Sequence, residues 1–438
     1  MIKRIIIIGA FTGTAHISML FVIKKLSETS PISVIKSIGE VDSLFNLITS
    51  ILASGLLMTS VREITISQNW KEPLLASIRA RFTLSLLLIT AAIAGFFNPV
   101  YWLMLFAPVF ALNPDYALYA KGKSVMASFL AFIRVVVPSI VLMISSYFFD
   151  QQIIILFSAS IILMYLTTGV YTSYILQSNY LVSPSLRSLT QYLETLPMGV
   201  VSFSYYFLGL GLIIPTTYFY VDERTVAISY IIIKIYVVFK SALRIINQTF
   251  ISDMVEDEVC AKVDQIAMLG GLAFLASALF FPEGFLNLFA DEKIVVADLW
   301  IYLLGITGFI VSPFISLTTK AILERKDRPY AKIAFISIVL SASIIALFSI
   351  FNVEEGVLIG LIAGELYCVI GLLMILKQIV LLKQRLEFLV KNSYLLTIPA
   401  SIRWFAGDNT RAFLVFIVMF LITALLANKK KVGFKPIN

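Results

Sequence analysis

The sequence predicts an all-α, polytopic helical membrane protein, and three observations carry that prediction. Of 438 residues, 59% are hydrophobic and only 14% charged, against roughly 45–50% and about 25% in soluble domains. Mean hydropathy is +0.94, and so few charges could not cover a water-facing surface. Apolar runs near 20 residues, the length that crosses hydrocarbon as a helix, recur along the whole chain. The net charge of +8 comes without a basic arm or aromatic–basic interleaving, so nucleic acid is not an expected partner. Cys260 and Cys368 lie on different elements and imply no disulfide framework.

The first span, 5–24, follows Lys3 and Arg4 and lacks a small-residue cleavage site, which reads as an uncleaved helix rather than a signal peptide. Polar breaks then set spans at 38–61, 82–97, 99–118, 124–149, 152–176, 195–219, 224–247, 264–281, 296–319, 331–351 and 356–376. Two more follow at 389–406, interrupted by Pro399 and Arg403, and at 411–427. Pro108, Pro138, Pro197 and Pro313 fall inside spans, where each removes a backbone hydrogen bond and tends to kink its helix.

Lys and Arg concentrate in short cytoplasmic loops. With both termini inside, 24 of the 34 basic residues fall on the cytoplasmic side, among them Arg62, Arg81, Lys240, Arg385 and the cluster Lys429, Lys430, Lys431 and Lys435. Six fall outside, including Lys36 and Lys293; Arg134, Lys234, Lys320 and Arg403 lie within spans. The bias sets orientation. Lys377 to Lys391 and the C-terminal lysines both require the cytoplasm, so two crossings separate them. Fourteen spans follow, or twelve if 389–427 is a re-entrant or surface hairpin.

The loops are too short for an independent domain. The chain has no GxxxxGK[ST] loop, one histidine and no Cys/His cluster, which argues against nucleotide hydrolysis, a metal site or Cys–His catalysis. The expectation is a protein without a cofactor that is not an enzyme.

An internal repeat organises the spans. The second runs from Glu40 to Arg62 and the eighth from Asp222 to Arg244, at equal separation. The fourth ends ALYAKGK (117–123) and the tenth AILERKD (321–327), with Pro108 and Pro313 one residue out of register upstream. Two parallel copies of a six-helix unit follow, related by an axis along the membrane normal. The expected division is 1–177, 178–378, and 379–438 for two added spans with a basic tail.

The KRIIIIGAFTGTA opening, the NPDYALYAKGKSVMASFLAFIRVVVPSI stretch (113–140) and its counterpart AILERKDRPYAKIA (321–334) resemble the polysaccharide-biosynthesis flippases of the multidrug/oligosaccharidyl-lipid/polysaccharide (MOP) exporter superfamily, the group that holds bacterial O-antigen flippases. The resemblance implies two six-helix bundles around a central cavity, MATE-like, with the two C-terminal helices appended. It implies translocation of undecaprenyl-pyrophosphate-linked oligosaccharide across the bacterial cell inner membrane by alternating access. It further implies membrane lipid, a coupling ion (H+ or Na+), and a polysaccharide polymerase with its chain-length regulator as partners.

Ionisable groups in hydrocarbon are costly and usually face a cavity or a partner. Arg134 in span five and Lys234 in span eight are the expected cations for a pyrophosphate headgroup. A structural ion pair, with Glu365 of span twelve neutralising one of them, is the competing reading. Tyr205 and Tyr206 could stack on sugar rings, although such aromatics commonly only pack. Gly356, Gly360 and Gly364 share a helix face that permits close approach. Glu365, about 100° away from it, and His16, mid-span in TGTAH, are the candidates for ion coupling. Two rivals stand: a MATE-type multidrug exporter, and a membrane-embedded polysaccharide polymerase or glycosyltransferase. The enzyme would need a large external loop, and the longest here, 25–37 and 282–295, are short and chemically plain.

Alkaline phosphatase fused after Lys431 is expected to be inactive, and a fusion near Asp408 active. Activity after Lys431 removes the fourteen-span topology, and inactivity near Asp408 returns the count to twelve.

Overall fold

The computed structural model describes residues 2–53, 55, 60–61, 63–65, 67–148, 152–220, 222–249, 257–291, 294, 296–378 and 380–428. Arg62, Lys293, Lys429, Lys430, Lys431 and Lys435, and the side chains of Lys3 and Arg4, lie outside that description. All secondary structure among the described residues is helical, as the sequence predicts. Nine described helices are long and apolar enough to cross a membrane, or ten if the pair Leu196–Phe207 and Leu210–Phe219, bent by 75°, makes one span.

Three expected spans are built differently. The second is α2 (Ile32–Ala53), shifted toward the N-terminus and carrying Lys36, Glu40 and Asp42. The fourth is no continuous helix: a 3-10 helix Pro99–Phe106 leads into α4 (Ala107–Ala111), and α5 (Tyr116–Ala120) follows after a break. Pro99, Pro108 and Pro114 each withhold an amide donor from that stretch, which prevents an unbroken α ladder. The thirteenth divides into α18 (Val380–Asn392), a 3-10 turn and α19 (Thr397–Ala406); the fourteenth, α20 (Thr410–Asn428), runs close to its expected bounds. Of the four prolines expected to kink spans, only Pro138 lies within a helix; Pro108 and Pro197 open helices and Pro313 sits in a 3-10 turn.

The chain forms two compact units, 1–230 and 231–438. In the first, α1 (Ile2–Thr29) packs on α6 (Ser124–Phe148), and α6 on α7 (Ile153–Leu176). Beside them α2 packs on α9 (Leu196–Phe207) and α10 (Ile213–Phe219), and α3 (Lys71–Thr90) on α8 (Leu186–Glu194). The boundary falls inside α11 (Glu223–Thr249). Asp222 caps that helix, accepting from the Thr225 amide and hydroxyl, both at 3.0 Å. Against partial desolvation, those bonds and one from the Arg224 amide hold the Asp222 carboxyl below the usual carboxylate range.

In the second unit α12 (Asp257–Phe280) packs on α14 (Asp298–Val311), and α16 (Asp327–Ile350) on α17 (Gly356–Ile375). Without a hydrophobic drive between helices in lipid, close backbone approach supplies the attraction. A Cβ on Gly360 would lie 2.8 Å from the Ser341 carbonyl oxygen, and one on Gly305 2.5 Å from the Ala278 methyl. At the far end, Phe413, Phe416 and Phe420 recur along α20 and pack in an aromatic cluster with Phe281 and Phe285. That stripe is what fastens the terminal helix.

Helix ends follow a common device. Gln177, Asn352 and Lys377 take φ values of 49°, 52° and 54° after α7, α16 and α17. In each case the next amide reaches back to close the end: Ser178 to Ser173, Val353 to Phe348, Gln378 to Leu373, at 2.9–3.1 Å. The two segments matched in the repeat end alike. Gly122 (φ 70°) and Arg325 (φ 55°) precede the bonds Lys123 to Leu118 and Lys326 to Ala321.

The Gly360 approach leaves no room for a branched side chain. Gly360→Val is expected to destabilise the protein by about 1–3 kcal/mol, read as a lower melting midpoint in detergent. An unchanged midpoint would remove close α16–α17 contact as a source of stability.

Candidate functional site

Broken helices expose backbone groups that lipid cannot satisfy, and several buried polar side chains sit at the breaks. In the first unit the break between α4 and α5 is held by Arg81 of α3. Its Nη1 donates to the Asn113 carbonyl at 2.7 Å and its Nη2 to the Phe110 carbonyl at 2.9 Å. Its guanidinium lies over the Tyr116 ring, 5.3 Å from the centroid, and Tyr116 hydrogen-bonds Ser77. Asn113 donates to Thr168 of α7 at 3.2 Å and accepts from the Asp115 amide at 3.2 Å, closing the turn.

Arg134 meets the same break. Its Nη2 pairs with the Asp115 carboxylate, and its guanidinium lies 4.9 Å over the Tyr165 ring. Its side chain is 9% exposed. Pro138, four residues on, lacks the amide that would bind the Arg134 carbonyl, so the helix is weakened where this cation sits.

A second cluster holds the 75° bend. Ser43 of α2 donates to the Leu210 carbonyl at 2.8 Å, and the Tyr206 hydroxyl donates to the Ser43 carbonyl at 2.8 Å. The Tyr206 ring occupies the space a Cβ on Gly211 would need, 2.8 Å away. Asp42 accepts from Tyr230 and from Asn46, each at 3.0 Å. Tyr205 beside it is 39% exposed. His16 is half-buried on α1.

In the second unit Glu365 of α17 accepts from Lys240 Nζ at 2.5 Å and from the Tyr236 hydroxyl at 2.6 Å, both on α11. Lys234, one and a half turns before Lys240, is buried with 7% exposure. The interruption after α14, at Ser312–Phe314, is met by Asp264 of α12. Asp264 has no exposed surface and accepts from the Ser316 amide at 2.9 Å, the Ser316 hydroxyl at 2.7 Å and Arg385 at 2.6 Å. It thereby serves the start of α15 (Ile315–Leu323). Asn247 adds a bond to Thr319 at 2.8 Å. Arg403 pairs with Asp408 at 2.8 Å, and Asp408 caps Gly284 at 2.9 Å.

The sequence-predicted residues thus divide. Arg134 is joined to Asp115, Glu365 to Lys240, and the Tyr206 hydroxyl to Ser43. Sequence reasoning counted Arg81, Lys240 and Arg385 on the cytoplasmic side, yet all three make ion pairs or carbonyl bonds within the protein. The signal that could have found Arg81 and Asp264 is the proline-broken stretch each serves.

No family model and no curated protein sequence matches the chain. Solved structures do. Superposed on the lipid II flippase MurJ in an inward closed conformation, the chain gives a TM-score of 0.69 at 12% identity, covering 97% of this chain and 99% of that one. A point mutant of a MATE protein gives 0.56 at 14% identity over 87% and 97%. An inward-facing multidrug resistance MATE transporter of the MOP superfamily gives 0.52 at 17% identity over 85% and 95%. The chain therefore shares the fold of these structures.

Asp264→Ala would leave Arg385 buried without its partner, a loss of about 3–5 kcal/mol. The double variant Asp264→Leu with Arg385→Met should recover much of it. Chemical denaturation in detergent measures both, and equal losses in the two proteins would refute a buried-pair energy here.

Proposed function

We propose that this protein is a flippase that moves a lipid-linked oligosaccharide across the bacterial inner membrane by alternating access, with both termini in the cytoplasm. The proposed cargo is an undecaprenyl-pyrophosphate-linked repeat unit of O-antigen or a related polysaccharide. The observation that carries this reading is the extent of the likeness to a lipid II flippase, which takes in nearly the whole chain, C-terminal helices included. The likeness to multidrug MATE structures covers less of the chain. The MATE-type reading keeps that weaker support as the alternative.

The division 1–177, 178–378 and 379–438 belongs to this proposal, as two halves that alternate and an appended pair. Arg134 and Lys234 act as the headgroup cations. Arg134 is supported by its position: the Asp115 carboxylate and the Tyr165 ring hold a guanidinium fork that a pyrophosphate oxygen can take over from Asp115. Tyr205, partly exposed beside the bend, and Tyr206, bonded to Ser43, are the sugar-stacking candidates. Glu365, linked to Lys240, and His16 are the coupling candidates. A proton taken up by Glu365 would release Lys240, which gives the coupling a concrete consequence.

In proteoliposomes loaded with lipid-linked oligosaccharide, Arg134→Gln should reduce flipping at least about tenfold, while Arg134→Lys retains part of it because a single ammonium replaces the fork. Expression and melting midpoint must match the parent. A folded Arg134→Gln protein that flips at the parental rate would refute the headgroup assignment; failure of the parent to flip any lipid-linked sugar would refute the function.

A further inference from the structure

Three span ends meet in the first unit: α3 begins at Lys71, α6 begins at Ser124 and α7 ends at Leu176. Lys71 Nζ donates to the Gln177 carbonyl, just past α7, at 3.1 Å. Lys121, between α5 and α6, places its Nζ over the Trp70 ring, 4.5 Å from the centroid, and Lys71 Nζ lies 5.9 Å from it. Trp70 and Tyr180 pack against one buried cluster that includes Leu74, Tyr116 and Leu176. The ends of apolar spans lie at the level of phospholipid headgroups, where Trp collects.

This corner is rich in donors and short of acceptors. Among the described residues neither ammonium group pairs with a carboxylate, and Glu72 accepts instead from Asn69 at 3.4 Å. Lys123, also exposed, follows Gly122, where a Cβ would meet open space. In the segment that Lys71 fastens, the hydroxyls of Ser173, Ser178 and Tyr180 are buried without a hydrogen-bond partner. Such hydroxyls are costly to leave unanswered. Ammonium groups that share one indole repel each other unless an anion joins them. We propose that this corner binds the phosphodiester headgroup of an anionic phospholipid such as phosphatidylglycerol. Lys71 and Lys121 hold the phosphate, the indole lies against the glycerol, and Ser178 and Tyr180 supply hydroxyl donors. The lipid ties the chain leaving α7 to the starts of α3 and α6. The site stands apart from the cargo proposed above, because Arg134 lies within α6 rather than at its end.

The test uses the full chain, delipidated in dodecyl maltoside, with bound lipid counted by native mass spectrometry and stability read as a melting midpoint. Phosphatidylglycerol is expected to bind saturably and raise the midpoint. Phosphatidylcholine and glycerol 1-phosphate should do neither at equal concentration. Lys71→Gln and Lys121→Gln each remove a charge-assisted contact and should weaken binding about tenfold. Lys332→Gln, which removes an exposed charge on α16, and Arg134→Gln should leave binding unchanged. Equal binding of phosphatidylcholine overturns the site, as does undiminished binding in the folded double variant or an equal loss in Lys332→Gln. Equal protection by glycerol 1-phosphate would make the ligand a free phosphate and refute the lipid. Loss in Arg134→Gln would move the lipid to the headgroup cations and also refute the site. All these failures leave the proposed cargo intact. Should the double variant not fold, Lys121→Gln decides, since the contact it removes is with the Trp70 ring.

Discussion

Inside hydrocarbon every backbone N–H and C=O must find its partner within the protein, and the rest of this structure depends on how its helix breaks meet that demand. Arg81 gives two donors to two orphan carbonyls at the α4–α5 break. Asp264 gives acceptors to an amide and a hydroxyl at the start of α15. The two breaks use opposite charges because they expose opposite groups: a helix ending presents carbonyls and a helix beginning presents amides.

Each such charge brings its own desolvation cost, and the neighbours answer it. Asp264 is paired by Arg385, and Arg81 rests on the Tyr116 ring. Arg134 differs in kind. It satisfies no backbone break, and its partner Asp115 is a quarter exposed rather than sealed. A pair placed at the edge of burial is easier to open than the Asp264–Arg385 pair, whose side chains are 0% and 3% exposed. That contrast separates a charge suited to exchanging partners from one fixed for stability.

Small residues and aromatics do the remaining work. Gly271, Gly305 and Gly360 let helices approach where a methyl group would collide. Where the second unit ends, large rings take over: Phe413, Phe416 and Phe420 fill space along α20, and Asp408 fastens the preceding turn to Gly284. The two means suit different needs, backbone contact between closely packed helices and filled volume around α20.

Much was legible in the sequence. Composition and apolar run length determined an all-helical membrane protein, because an uninterrupted apolar run satisfies its backbone in lipid as a helix, whereas barrel strands alternate apolar and polar residues. Among the described residues nine of the expected spans, or ten with the bent pair taken as one, lie near the expected places, and the Gly356–Gly360–Gly364 face does mark a close helix contact at Gly360. Lys234 and Glu365, expected within spans, are buried and the Arg134 side chain is 9% exposed, but the tertiary structure alone decided which charges pair and which loop charges are buried. Arg81 and Arg385 sit among other basic residues in the sequence and read as loop charges; only folding brings Arg81 to the carbonyls of residues 110 and 113, and Arg385 to Asp264, 121 positions away. Likewise Glu365 has no basic neighbour in sequence, and its partners on α11 come from another helix. Hydropathy registers the cost of a charge in lipid, one residue at a time. The partner that offsets that cost is a property of three-dimensional contact, and no periodicity along the chain records it.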